Sequence, residues 1–157
     1  MAIWQFTFHL VPREAIKQRH RLGDRCADNE NVNAPSYWPR HYAADAEALL
    51  PPRESWSSDA FMFGDEQGDC IELWDDGINV RLDVRHFNDP LTRALVNLAS
   101  VHELNFVLPQ GRSIPPLYDE LIREIAQSRA IMCVLNPEET LGEIGQERGG
   151  RKSHELD

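Results

Sequence analysis

Glu72 and Trp74, and after a turn Arg81, Asp83 and Arg85, recur at steps of two through "CIELWDDGINVRLDVR". Period-two spacing places side chains on one face of a strand, so a hairpin over this stretch would gather all five on one surface. Two carboxylates held close together split their pKa values and can serve as general acid and general base. Two guanidiniums beside them would clamp an anionic group. The same arginines support a plainer reading, because a cation next to each acid keeps it ionised. The set then becomes a cross-strand charge ladder, each exposed pair contributing about 0.2 to 1 kcal/mol.

Other chemistries fail on spacing. With Gly77 at the sixth position of a calcium loop, Trp74 falls where a ligand belongs, and with Gly68 there Phe63 opens the loop. A magnesium nuclease cluster wants a lysine after its acids, but Trp74 follows Asp69 and Glu72, and the only lysines are Lys17 and Lys152. His20, Asp24, Cys26 and His41 follow no recurring zinc spacing. Ser57 and Ser58 lack a G-x-S-x-G elbow, and no glycine-rich phosphate cradle occurs. No catalytic residue, metal or cofactor is assigned. Trp38, Trp56 and Trp74 stand near arginines and acids, as aromatic anchors of an interface do. The candidate binding set is therefore Trp74, Glu72, Arg81, Asp83, Arg85, Trp38 and Trp56.

The elements that must position these residues follow from periodicity and turn chemistry. Trp4, Phe6, Phe8 and Leu10 alternate with polar residues, predicting a strand that ends before Pro12. A short helix over 13–20, a long loop over 21–39 and a helix over 41–50 stopped by Pro51-Pro52 come next, then a short strand at 61–63. Asp76-Gly77 predicts a two-residue type I′ turn. That turn pairs Leu73 with Val80, Glu72 with Arg81 and Cys70 with Asp83. It leaves the charged face outward, with a loop folded over Trp74 as a second small core the alternative, and extends the second strand to Arg85. Asp89-Pro90 predicts the cap and first residue of a helix over 90–101. Pro109-Gln110-Gly111 predicts a second hairpin, and Pro115-Pro116 opens a helix carrying Leu117, Leu121, Ile122 and Ile125. The apolar run "AIMCVL" reads as a buried strand, followed by a last helical turn through Glu143. Together these predict an α+β fold: one domain over 1–144, mainly antiparallel sheet with helices packed on one face, two hairpin-plus-helix segments, and a disordered tail over 145–157.

Composition narrows the partners. The 157 residues carry a net charge of -10, with 41% hydrophobic and 27% charged residues. That balance fits a globular chain and repels nucleic acid and anionic membranes. No apolar stretch reaches the length of a membrane span, no secretory leader is evident, and three cysteines cannot all pair, which together predict a cytoplasmic protein. Nine acids between 59 and 89 face only Arg81 and Arg85 there, so a basic protein is the expected partner. In size and charge the chain is similar to bacterial immunity proteins that neutralise basic toxins, with no motif matched residue by residue. Two other classes stay open: a small enzyme or ligand binder using the polar face of the 70–86 hairpin, and a homodimer formed through that face.

Overall fold

The computed structural model describes residues 2–22 and 39–138, with residues 18–22 described as backbone only. The expected long loop, the tail and the turn through Glu143 lie largely outside these residues. The fold class stands: seven strands form one sheet in the order β2-β3-β4-β5-β1-β6-β7, every neighbouring pair antiparallel. The strands are β1 (Gln5–Pro12), β2 (Pro52–Arg53), β3 (Ala60–Gly64), β4 (Cys70–Trp74), β5 (Ile78–Asp83), β6 (Leu104–Val107) and β7 (Ser113–Ile114). The first strand is thus inserted between β5 and β6. Both edges are only two residues long, and one begins with proline, which limits pairing with a foreign strand.

Five helices accompany the sheet: α1 (Arg13–Leu22), α2 (Ala43–Leu49), α3 (Asp89–Val101), α4 (Tyr118–Ala126) and α5 (Arg129–Leu135). Phe6, Phe8 and Leu10 of β1 enter one apolar cluster with Leu95 of α3, Leu121 of α4 and Ala130 of α5. The Phe8 and Phe106 rings meet edge to face at 5.1 Å within it. Helix α3 is set by its start. Asn88, one residue before the expected cap, accepts the Leu91 N–H at 3.1 Å, and Pro90 occupies the first turn. Leu91, Leu95 and Ala99, four apart, then make the buried stripe.

Three local expectations are corrected. "AIMCVL" is helical rather than a strand: Ser128 caps it through the Ile131 N–H, and burial of Ala130 and Cys133 with exposure of Met132 follows helical spacing. A short, wholly apolar run carries no period to separate the two forms. Pro52-Arg53 does not merely stop a helix but pairs with Phe63 and Met62 as the edge strand.

The third correction concerns the central hairpin. Leu73 pairs with Ile78, Glu72 with Asn79, Ile71 with Val80 and Cys70 with Arg81. The tip is Asp75-Asp76, closed by a 2.9 Å bond from the Trp74 N–H to the Gly77 carbonyl. Among described glycines only Gly64 and Gly111 have positive φ, so Gly77 does not use the conformation that a type I′ turn demands. The shift moves each partner by two residues, an even number, so each side chain keeps its face. Strand β5 also stops at Asp83, whose carboxylate caps a 3₁₀ turn over Val84–His86, and Arg85 leaves the strand there.

Candidate functional site

The face expected to be wet is interior. Cys70 is 0% exposed, Glu72 5%, Asp83 6% and Arg81 8%. Met62 and Ala60 of β3 and Gln5 and Thr7 of β1 are buried with them. Where the sequence suggested a surface ladder, the sheet instead carries a second, polar interior.

Glu72 is its hub. Its carboxylate is ion-paired to Arg81, diagonal to it in the observed register, and accepts from Trp74 Nε1 and Asn79 Nδ2, each at 3.1 Å. The Cys70 thiol lies 3.8 Å from the same carboxylate. Cys70 and Trp74 reach it because they stand two residues either side on the same strand, and Asn79 because it is directly opposite. This acid is hydrogen-bonded on both oxygens, which is the condition for holding a charge inside a protein. The arrangement is less complete around it: Arg81 Nε, Arg53 Nε and Asn79 Oδ1 are buried without a hydrogen-bond partner. Burial pushes the Cys70 thiol upward despite Arg81 and Arg53 nearby, so it is a poor thiolate nucleophile.

Asp83 anchors a second group at the other end of β5. It binds the Arg85 guanidinium through both oxygens, at 2.9 and 2.8 Å. Those bonds hold its carboxyl below the usual aspartate range, against the opposing effect of burial. Arg85 in turn lies 4.1 Å from the centre of the Trp4 ring. Arg85 Nη2 and Trp4 Nε1 each donate to the Gln67 carbonyl at 3.3 Å, while Gln5 Nε2 holds the Glu66 and Gly68 carbonyls. The 65–68 turn is thereby tied across the sheet to β1. Asp69, weighed in the sequence only as an acid of a nuclease cluster, accepts the Asp83 N–H at 2.8 Å and Asn88 Nδ2 at 3.3 Å. Burial raises its carboxyl above the normal range, and the Asp83 charge adds to the rise.

The third group faces solvent. Trp56, 70% exposed, packs on Trp74 with ring centres 5.3 Å apart. Phe61, 47% exposed, sits beneath the Arg40 guanidinium at 5.6 Å. Arg40 also binds Asp75 at the hairpin tip, Nη2 to Oδ1 2.6 Å. Neither Arg40 nor Phe61 carried a sequence signal: Phe61 reads as a strand residue and Arg40 lies beside a loop.

Of the expected binding residues, the fold thus joins Glu72 with Arg81, Asp83 with Arg85, and Trp56 with Trp74. Glu72, Arg81 and Asp83 are buried while Arg85 and Trp56 are exposed, and Trp74 connects Glu72 to Trp56. Trp38 lies outside the described residues, as do Asp24, Cys26 and the His20 side chain. Among the described residues no three His, Cys, Asp or Glu side chains cluster as metal ligands, and no helix is long and apolar enough to cross a membrane. A cleft of about 360 Å³ lies between the β6–β7 turn, the α4–α5 junction and Gln5, Phe6 and Thr7 of β1. No protein-family model, curated protein or solved structure matches the chain.

Proposed function

We propose that the protein is a non-catalytic acidic binding protein whose partner is a basic protein, blocking it in the manner of an immunity-type inhibitor in the cytoplasm. The observation that carries this reading is the division of its charges. The Glu72 carboxylate is occupied inside the sheet by Arg81, Trp74 and Asn79, and Asp83 by Arg85. Asp59, Asp65 and Asp76 remain exposed on turns at the sheet ends outside any ion pair among the described residues, and Glu66 and Asp75 are exposed but paired with Arg53 and Arg40. Exposed carboxylates in excess raise the encounter rate with a cation-bearing surface. Biolayer interferometry with immobilised polyarginine and polyglutamate of equal length tests the reading. Binding to polyarginine alone, weakening as salt rises, is expected. Equal binding to both, or none to polyarginine at low salt, refutes it.

A second reading, a small enzyme on the hairpin's second face, has one observation in its favour: Asp69 is pushed up and Asp83 down, the split that general acid and base pairs show. A self-associating protein would place the exposed Trp56 in a homodimer interface.

A further inference from the structure

Three arginines of this chain are held in one recurring way. Arg40 lies over Phe61 and binds Asp75. Arg85 lies over Trp4 and binds Asp83. Arg93 lies 3.9 Å from the centre of the Tyr118 ring and binds Asp89 at 2.8 Å. In each case a guanidinium satisfies an aromatic face and a carboxylate together, which its flat, weakly hydrated cation does better than an ammonium.

The loop that carries Trp56 also carries two acids, with no guanidinium over the indole among the described residues. That indole is 70% exposed and touches Trp74 with ring centres 5.3 Å apart and planes tilted by 58°, which leaves most of the ring open. Glu54 and Asp59, two residues before and three after it, are exposed and take part in no ion pair among the described residues. Their loop is braced by the Ser55 hydroxyl on the Ser57 carbonyl at 2.6 Å and the Ser57 hydroxyl on the Asp59 N–H at 3.2 Å. Among the described residues no cation lies over Trp56.

We infer that Trp56, backed by Trp74 and flanked by Glu54 and Asp59, is the docking point for an arginine side chain of a basic partner protein. The inference rests on the binding reading above and names its contact. An indole fixed by a second ring loses little freedom on contact, and the loop carboxylates supply the charge that such a partner would complete.

Fluorescein-labelled hexa-arginine and hexalysine peptides, titrated by anisotropy into the full chain and its Trp56→Ala variant, test this. Circular dichroism and the urea midpoint establish that Trp56→Ala is folded although it uncovers Trp74. Glu54→Gln with Asp59→Asn is the companion that leaves the ring in place. The wild-type chain is expected to prefer the arginine peptide, and Trp56→Ala to weaken that peptide by about three- to tenfold while changing hexalysine binding less. The carboxylate pair should weaken both peptides. Unchanged arginine binding in Trp56→Ala overturns the docking point and leaves the acidic-binding reading standing. No binding of either peptide at low salt overturns both. A wild-type dimer in sedimentation that Trp56→Ala converts to monomer assigns the surface to a second copy of the chain and overturns the basic partner.

Discussion

Replacing Arg81 with methionine would remove the only cation paired to Glu72 among the described residues while leaving a side chain of similar length in the polar interior. The two side chains are 10% and 6% exposed, so water cannot take the place of the guanidinium without opening the sheet face. Breaking a buried pair from one side typically costs about 3 to 5 kcal/mol, because the remaining charge is uncompensated. Trp74 and Asn79 still donate to Glu72 at 3.1 Å, and the orphaned Arg81 Nε disappears with the substitution. Both effects place the expected loss near about 3 kcal/mol, a large part of the roughly 5 to 15 kcal/mol available to a domain. Glu72→Gln added to Arg81→Met removes the stranded charge and keeps an amide oxygen for the indole and Asn79. The pair should recover about 2 kcal/mol of the loss, a coupling that a double-mutant cycle isolates. Urea unfolding followed by circular dichroism measures both, with an unchanged denaturant slope showing that unfolding stays two-state. If Arg81→Met shifts stability by less than about 0.5 kcal/mol, the range of ordinary surface substitutions, the face is solvated and the reasoning fails.

Other outcomes follow from single sites. Gly64 has φ +83, and an added Cβ would lie 2.2 Å from the Asp69 carbonyl oxygen, so Gly64→Ala should lower the urea midpoint severely or prevent folding. Glu103 holds φ 54 just after α3, where glycine is unstrained; Glu103→Gly should raise stability by up to about 1 kcal/mol in the same assay. The Asp83 carboxyl is depressed in the fold, so its contribution is present above the unfolded aspartate value and is lost as pH falls below about 4; Asp83→Asn should flatten that acid limb of the stability profile. Asp69, raised in the fold, has the opposite sign: its contribution is present at low pH and declines as pH rises through its folded pKa, so Asp69→Asn should remove that decline.

What the sequence revealed was local. The alternation of Phe6, Phe8 and Leu10 located β1, Pro90 placed the start of α3 to within a residue, and Gly111 with φ +85 closes the second hairpin as its turn signal implied. The central register slipped because Asp76-Gly77 is a turn signal one residue away from the pair, Asp75-Asp76, that forms the tip. Its faces were nevertheless sorted correctly, since a two-residue slip preserves parity. Burial of the second face was not legible, because it depends on parts distant in sequence: Gln5 reaches the 65–68 turn, and Trp56 covers Trp74. For the same reason Glu72, Arg81 and Asp83, which looked most like a site, are internal, whereas Arg85 and Trp56 meet solvent.

On the proposed reading, binding belongs to the exposed indole and its acids, and the Glu72–Arg81 group only supports the sheet. That reading is tested most directly by titrating labelled hexa-arginine peptide into two folded variants side by side, Trp56→Ala and Glu72→Gln with Arg81→Met. The account predicts affinity reduced by about three- to tenfold in the first and close to the wild-type value in the second. Loss of binding in the second with full binding in the first would contradict it.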